Sequence, residues 1–206
     1  LSLDKQLPGG VKAMNPYKDA YTFGLCESFY LKFYNDNNPR TLLLGINPGR
    51  FGSGTTGVTF TDPIKLDKLG ISNTLDKKAE LSADFIYMMI DAFGGAEKFY
   101  KRFLISAVSP LGFIKKGLNV NYYDIPALQK AVTPFIIASI NQMLDLGLSR
   151  EKCFCIGEGK NFIYLDIQNK KYGWFKEVIP LPHPRFIMQY RRKKVKEYIE
   201  IYVSAL

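Results

Sequence analysis

The chain of 206 residues is long enough for one domain with a sizeable core, and its 47% hydrophobic and 14% aromatic residues exclude a disordered protein. No apolar run is long enough to cross a bilayer, and three cysteines are too few for a disulfide framework or an iron–sulfur cluster. A formal net charge of +9 is compatible with a polyanionic partner, although many soluble proteins are basic for no specific reason.

We expect no targeting segment at the beginning of this sequence. Its first five residues lack a basic stretch followed by an apolar core, so no signal peptide is visible. Because the cysteines are also sparse, we expect a cytoplasmic protein in a reducing compartment. The breakers Pro8-Gly9-Gly10 predict that residues 1–14 form a loosely packed, flexible lead-in, and residues 15–206 are predicted to form a single domain.

Apolar spacing and glycine or proline breakers predict alternating helices and strands along this domain. In chain order they predict a helix over 17–34, a strand over 41–46, a short helix from Asp62-Pro63, helices over 81–93 and 96–102, a strand over 103–108, a loop over 111–123, a helix over 125–146, a strand over 153–156, a helix after residue 161, a strand over 177–181 and a last helix from about residue 190.

This alternation predicts a three-layer α/β/α fold with a central four-stranded parallel sheet. The carboxyl ends of parallel strands meet at one edge of the sheet, and ligands bind in the crevice outside that edge. We therefore expect the four loops that follow the strands to form the functional site.

The loop after the first strand is the most distinctive of the four. The run Leu42-Leu43-Leu44 is typical of a buried parallel strand, and the loop that follows it, residues 46–61, contains four glycines and four threonines. Glycine lets the backbone come close to a ligand, and loops this long in a compact domain are usually functional. The alternative is an ordinary surface connection.

Two polar residues near the predicted edge could take part in a reaction. His183 is the single histidine, and it follows the last predicted strand between two prolines that pre-shape its loop. Asn47 follows the first strand, and its amide can orient a water molecule without removing a proton. The alternatives are a structural histidine and an asparagine that only forms an Asx-type turn.

Other segments favour contact with anions. Gly157-Glu158-Gly159-Lys160 precedes a predicted helix, whose N-terminus could hold one phosphate with Lys160 adding charge. A run of four basic residues, 191–194, begins the last predicted helix. It is compatible with nucleic-acid binding and equally with a solvated helix face. One histidine and these cysteines do not make a metal cluster, so we expect no metal and no cofactor.

Several of these segments together resemble the motifs of the single-strand-selective monofunctional uracil-DNA glycosylases. The first motif is matched by Gly45-Ile46-Asn47-Pro48-Gly49, Phe51-Gly52, Thr56-Gly57-Val58 and Phe60, and the second by His183-Pro184 with Arg185 after it. Weaker similarity surrounds them at Asn15-Pro16, Leu69-Gly70-Ile71, Ser109-Pro110-Leu111, Gly117-Leu118-Asn119 and Gly157-Glu158-Gly159. In this order the matches cover the chain from about Asn15 to the last helix.

The resemblance implies a base-flipping DNA repair enzyme that cleaves the N-glycosidic bond of uracil, on a parallel sheet between helices. Asn47 would position the attacking water at C1′, and His183 would hydrogen-bond O2 of the base. Phe60 would stack on the flipped base, which the backbone around Gly49 would approach closely. DNA would be the partner of a protein that we expect to be a monomer.

The same resemblance predicts which other residues contact the substrate. Contacts to the base are expected from Phe51, Gly57, Ala107 and Ser109, and contacts to DNA from Lys160, Arg185, Phe186, Arg191, Arg192 and Lys193. The segment 185–190 is a candidate for the apolar wedge that fills the space of the flipped base.

Two positions differ from the family pattern, and a third differs from the strict uracil enzymes of the superfamily. The family reads the Watson–Crick edge of uracil with an asparagine on the second strand, where this chain has Ala107 beside Ser106. After His-Pro the family usually has Ser-Pro-Arg, and here Arg185 follows directly. Strict uracil enzymes block C5 substituents with a tyrosine where this chain has Gly49. These differences predict a divergent branch whose substrates extend beyond uracil, to 5-hydroxymethyluracil or a deaminated purine.

Two other functions are compatible with the same residues. A nucleic-acid-binding module could keep the fold without catalysis, and an α/β protein of this kind could bind a nucleotide or a phosphate. The presence of Asn47, Phe60 and His183 together favours catalysis.

Overall fold

A computed structural model describes Leu3 and residues 7–206. The helices are α1 Ala20–Tyr34, α2 Ser53–Thr56, α3 Pro63–Lys68, α4 Leu81–Phe93, α5 Ala96–Arg102, α6 Pro126–Leu144, α7 Lys160–Tyr172, α8 Pro184–Tyr190 and α9 Val195–Ala205. The strands are β1 Lys12–Met14, β2 Thr41–Gly45, β3 Phe103–Ala107, β4 Gly112–Lys115, β5 Leu118–Val120, β6 Lys152–Ile156 and β7 Glu177–Leu181. Short 3-10 turns occupy Pro8–Gly10, Pro16–Lys18 and Arg192–Lys194.

Four parallel strands form the central sheet, in the spatial order β3-β2-β6-β7. This confirms the predicted four-stranded parallel sheet, and the strand positions agree with the sequence prediction to within one residue at each end. The buried triplet Leu42, Leu43 and Leu44 lies in the middle of the sheet, because β2 pairs with strands on both sides.

Helices cover both faces of this sheet. Leu43 and Phe154 belong to a core formed with side chains of α1, α4, α5 and α9. Leu42, Leu44 and the cysteines of β6 face the other way, into a core with α6 and α7. Successive strand residues therefore alternate between two cores, which gives the predicted three layers.

A second, antiparallel sheet of order β1-β4-β5 corrects two sequence predictions. Segment 111–123 contains a hairpin instead of a plain loop, and residues 8–14 contain a turn and a paired strand instead of a loose lead-in. Residues 1, 2 and 4–6 of the expected lead-in lie outside the described residues. The hairpin turn is Lys116-Gly117, both with positive φ, which is typical of a tight two-residue connection.

The end of the chain also differs from the prediction. A single last helix was expected from about residue 190, but α8 begins at Pro184, and a 3-10 turn separates it from α9. His183 is the N-cap of α8, and Pro184 occupies the first helical position, where a missing N–H costs nothing. Ile187 and Met188 are buried in the core, so only one face of the expected wedge segment is exposed.

The helices of the described residues begin and end where local chemistry favours it. The carboxylate of Asp19 accepts a hydrogen bond from the Thr22 amide at the start of α1, and Asp62 does the same for Lys65 at the start of α3. Gly94, with φ of 114°, ends α4. None of the described helices is long and apolar enough to span a membrane.

Candidate active site

A cavity of about 510 Å³ opens at the carboxyl edge of the central sheet. The end of every parallel strand contributes to it: Asn47 after β2, Ala107 at the end of β3, Gly157 after β6 and His183 after β7. This is the edge that the order of elements predicted, and the structure brings both proposed catalytic residues to it.

The amide of Asn47 is held in place by the segment that follows the hairpin. Its Oδ1 accepts a hydrogen bond from the Tyr122 backbone N–H at 3.0 Å, and Nδ2 lies 3.4 Å from the carbonyl oxygen of Val120. A carbonyl oxygen has two lone pairs, so Oδ1 can accept a further hydrogen bond from a water molecule in the cavity. The partner of Oδ1 is thus a backbone group 75 residues away and not a neighbouring N–H, as an Asx-type turn would require.

The imidazole of His183 is also held by a backbone group. Its Nδ1 accepts a hydrogen bond from the Arg185 N–H at 3.1 Å, so the proton of the neutral ring lies on Nε2, which can donate it. Burial, and to a smaller extent the charge of Arg185, lower the pKa of His183 to about 4. Near neutral pH the cavity therefore contains an uncharged histidine with a fixed donor.

Phe60 forms part of the cavity floor, and its ring centroid lies 6.2 Å from that of His183. Its φ of 53° is an outlier for a bulky residue, and such strain costs on the order of 1–3 kcal/mol. The buried hydroxyl of Thr56 donates to the Thr61 carbonyl and holds this turn. Gly45 is required below the ring, because a Cβ there would lie 2.8 Å from Phe60.

A buried network connects the strand ends beneath the cavity. Asn161 on α7 accepts a hydrogen bond from the Tyr122 hydroxyl at 2.8 Å, and its Nδ2 lies within 3.4 Å of the carbonyl oxygens of Gly45 and Ile156. It thereby fixes the ends of β2 and β6 relative to the segment that holds Asn47. No sequence pattern predicted a role for this asparagine, although it follows the Gly157-Glu158-Gly159 segment by two residues.

Two further polar residues line the wall at Gly49. The Glu80 carboxyl and the Asn119 amide each come within 3.6 Å of the position that a Cβ on Gly49 would occupy. Burial, and then the charge of Asp62, raise the pKa of Glu80 to about 7. No motif marked Glu80, and Asn119 was marked only as the end of the weaker match Gly117-Leu118-Asn119, without an expected role.

The cavity mouth carries several of the residues expected to contact DNA. Lys160, Arg185 and Phe186 line it, together with the strongly exposed Tyr190. The guanidinium of Arg191 lies over the Phe186 ring at 5.3 Å. Arg192 and Lys193 continue from there as exposed residues outside the cavity.

Three residues expected to contact the base do not reach the cavity. Phe51 is exposed, with Arg50 and Lys78 over its ring. Gly57 ends α2 with a φ of 74°, and its carbonyl oxygen accepts a hydrogen bond from the Tyr17 hydroxyl. Ser109 is fully buried, and its hydroxyl donates a hydrogen bond to the Leu111 carbonyl. The side-chain and backbone groups at these three motif positions contact other parts of the protein, so they shape the loops around the cavity.

Ala107 stands where the family has an asparagine, and this position still lies at the cavity. Ala107 lines the cavity and is buried, and it pairs with Gly45 across a regular ladder in which Ser106 pairs with Leu44. Because no bulge interrupts this register, the Ser106 side chain points to the other face of the sheet. Ser106 therefore does not replace the missing amide.

No metal site is formed by the described part of the chain, in which no group of three or more His, Cys, Asp or Glu side chains is arranged to hold an ion.

Comparison with known proteins agrees with this geometry. The family model described as the uracil DNA glycosylase superfamily matches residues 31–206. The chain is similar to a crystal structure of wild-type SMUG2 from Pedobacter heparinus, with 50% sequence identity, a TM-score of 0.93, and coverage of 97% of this chain and 88% of the other. Among curated proteins, none matches the chain. The family match and this structural similarity show that the chain belongs to the uracil-DNA glycosylase superfamily.

Proposed function

We propose that this protein is a monofunctional DNA glycosylase that hydrolyses the N-glycosidic bond of uracil and of related deaminated or modified bases after flipping them out of DNA. The main support is the convergence of Asn47 and His183 on one cavity, each with one side-chain atom fixed by a backbone N–H. Membership of the superfamily supports action on DNA.

In this mechanism the two residues act on opposite sides of the breaking bond. The base leaves as an anion, and the donor on Nε2 of His183 stabilises the charge that develops on O2. The sugar carbon becomes cationic, so a water molecule oriented by Oδ1 of Asn47 needs little activation. This explains how the reaction proceeds without the paired carboxylates of ordinary glycosidases.

The neutral state of His183 suits this role. A charged imidazolium would be disfavoured by its burial, whereas the neutral ring is already in place as a donor. The stacking of the base on Phe60 and the closeness of the Gly49 backbone would hold the flipped base between fixed surfaces.

The proposed chemistry ends at the abasic site. Cleavage of the DNA strand would require an amine nucleophile at the sugar carbon. Among the lysines described by the structure, only Lys160 lines this cavity, and it is exposed at the N-terminus of α7, where it is better placed to contact a phosphate. We expect the protein to act as a monomer in the cytoplasm.

One experiment tests this function directly. The protein is incubated with single- and double-stranded oligonucleotides that carry uracil, 5-hydroxymethyluracil, hypoxanthine or xanthine, and abasic sites are detected by alkaline cleavage. We expect excision of at least uracil, without strand cleavage before alkali and without a borohydride-trapped adduct. DNA binding without excision of any base would favour a non-catalytic binding module, and a trapped adduct would show lyase chemistry.

A further inference from the structure

The carboxyl group of Glu80 does not cap the helix that follows it, α4. Glu80 is the N-cap of α4, a position whose side chain usually accepts a hydrogen bond from the first helical N–H groups. Its side chain makes no such bond and instead lines the cavity. Its own backbone N–H donates to Asp62 at 3.0 Å, which fixes the residue. Its carboxyl makes no hydrogen bond within the described residues.

Asn119 presents a free donor to the same place. Its Oδ1 accepts a hydrogen bond from the Arg50 backbone N–H at 3.3 Å, and this bond fixes which end of the amide is which. Its Nδ2 faces Gly49 and has no hydrogen-bond partner within the described part of the chain. The hairpin that carries Asn119 is itself anchored, because Arg50 donates to the Gly117 carbonyl.

Gly49 opens the space between these two groups. A Cβ at this position would lie 3.6 Å from Asn119 Nδ2 and 3.6 Å from Glu80 Oε1, so both groups border one small volume that no side chain fills. A polar substituent of the base that enters this volume would come within reach of both. On the other side of the cavity, β3 offers no side-chain amide that could pair with the base, because this strand ends in Ala107.

The proposed orientation of the base selects the edge that meets this pair. With C1′ at Asn47 and O2 at His183, the C5–C6 edge lies on the other side of the glycosidic bond from O2. Gly49 follows Asn47 by two residues and borders the cavity next to the sugar position. The C5 substituent is therefore the part of a pyrimidine that would point into the volume beside Gly49.

We propose that Glu80 and Asn119 read the C5 edge of the flipped base and favour bases that carry a hydrogen-bond acceptor there, such as the oxygen of a formyl group. This inference rests on the proposed glycosylase function and adds a specificity-determining pair to it. Uracil itself has only a C–H at C5, so it gains no hydrogen bond from either group, whereas an acceptor at C5 gains up to two.

The charges around Glu80 make this recognition sensitive to pH. Burial is the main reason why the pKa of Glu80 is raised, the Asp62 and Asp84 carboxylates add to it, and Arg185 and Lys65 partly oppose it. Because the pKa of Glu80 is raised to about 7, the carboxyl is a donor below that pH and only an acceptor above it. The preference for an acceptor at C5 should therefore fall as the pH rises through 7.

The test compares kcat/KM for 5-formyluracil and uracil in the same oligonucleotide, for the wild type and for variants. Taking the ratio of the two bases within each protein, relative to the wild type, cancels their intrinsic difference in leaving-group strength. We expect the ratio to fall about tenfold in Glu80→Ala and in Asn119→Asp, since each loses one hydrogen bond to the formyl oxygen. Asn119→Asp keeps the acceptor for the Arg50 N–H while removing the donor. Glu80→Gln keeps a donor at every pH, so its ratio should stay high from pH 6 to 8.

Glu158→Gln is the matched control, because it neutralises another carboxylate at the same cavity, beyond Gly157. It should change both bases equally and leave the ratio unaltered. If the ratios are unchanged in Glu80→Ala and Asn119→Asp while uracil is still excised, Glu80 and Asn119 do not select the base. The proposed glycosylase function would be unaffected by that result. If the wild type excises no base, the proposed function fails, and binding of the two oligonucleotides decides the inference. Equal affinity for both would overturn it, and a preference for the formyl base that Glu80→Ala abolishes would support it.

Discussion

The two walls of the cavity differ in how their polar side chains are held. On the sheet wall, formed by the ends of the parallel strands, Asn47 and His183 each use one side-chain atom to accept a backbone hydrogen bond. On the hairpin wall, formed by Gly49, Glu80 and Asn119, the carboxyl and Nδ2 have no such partner within the described residues. One wall is fixed before a ligand arrives, and the other keeps polar atoms available for it.

This difference matches the demands of the two tasks. A group that stabilises a transition state is most effective when its orientation is already fixed, because no reorganisation accompanies the reaction. A group that selects among bases needs unused hydrogen-bonding capacity, because discrimination comes from leaving it unpaired with the wrong base. We therefore assign catalysis to the sheet wall and selection of the base to the hairpin wall.

The largest effect is expected on the sheet wall. Asn47→Ala and His183→Ala should each lower the single-turnover rate of excision about 10²–10³-fold, since each removes a preorganised transition-state contact. DNA binding should be nearly unchanged, because neither side chain faces the exposed basic surface. Single-turnover kinetics and a binding titration on the same oligonucleotide measure the two quantities.

The assignment would be wrong if both variants cut uracil at nearly the normal rate. Thermal unfolding serves as the control, because Asn47 also accepts the Tyr122 N–H and its loss could loosen the hairpin segment. An unchanged melting temperature of Asn47→Ala would assign its lost rate to catalysis and not to a loosened hairpin segment.

A smaller effect, equal for all bases, is expected from the basic segment outside both walls. Arg191, Arg192 and Lys193 are exposed beside the cavity mouth, and Lys194 pairs with Glu197. Changing residues 191–194 to glutamine should weaken DNA binding about tenfold and flatten its salt dependence, because contacts to phosphates release counterions. The ratio between bases should not change. An unaltered salt slope would mean that the segment is only a solvated surface.

The sheet wall could largely be predicted from the sequence, because each of its residues follows a short apolar strand. Leu42-Leu43-Leu44 gives the position of β2, and the alternation with helices brings the strand ends together. The second motif was expected in a loop but begins a helix at Pro184, which is why Ile187 and Met188 turned out to be buried.

The hairpin wall could not be predicted in the same way. Its strands have three or four residues, too few for a periodic pattern, and β1 pairs with a strand about one hundred residues later in the chain. Glu80 precedes a helix and has no distinctive neighbours, so only the tertiary structure shows that its carboxyl lies beside Gly49. The motif residues Phe51, Gly57 and Ser109 show the converse, since they match a family pattern without reaching the cavity.

The next prediction gives the sheet wall an unpaired amide of the kind that is found on the hairpin wall. Ala107→Asn places an amide on the sheet wall, where it can pair with the Watson–Crick edge of uracil. We expect it to shift specificity toward uracil by up to about tenfold relative to 5-hydroxymethyluracil or xanthine, because a polar reader rejects a base that leaves it unpaired. Competition assays with mixed oligonucleotides measure the shift.

Gly49→Tyr complements that variant, because its side chain would occupy the volume between Glu80 and Asn119. Gly49→Ala is its control, because a Cβ there makes only ordinary contacts. If the wild type already cuts only uracil, and Gly49→Tyr changes nothing, the hairpin wall has no part in base selection.

The smallest effect is a dependence of stability on pH, in which the two walls should act in opposite directions. The pKa of His183 is lowered to about 4 from the ordinary value near 6.5, so between these values the unfolded chain binds a proton that the folded chain does not. His183 therefore lowers the free energy of unfolding as the pH falls, by up to about 1.4 kcal/mol per pH unit. Glu80, whose pKa is raised to about 7, binds its proton in the folded chain first, so it increases stability as the pH falls from 7 toward 4.5.

Because these contributions partly cancel, the wild-type profile alone hides both of them. Urea unfolding at half-unit steps from pH 4.5 to 7 should show that Glu80→Gln loses stability toward low pH relative to the wild type, while His183→Gln gains it. Carboxylates such as Asp36, whose pKa is lowered to about 2, titrate below this range and do not interfere. Parallel profiles for the wild type and both variants would mean that neither wall titrates as its surroundings indicate, and the pH-dependent reading of the C5 edge would then fail together with them.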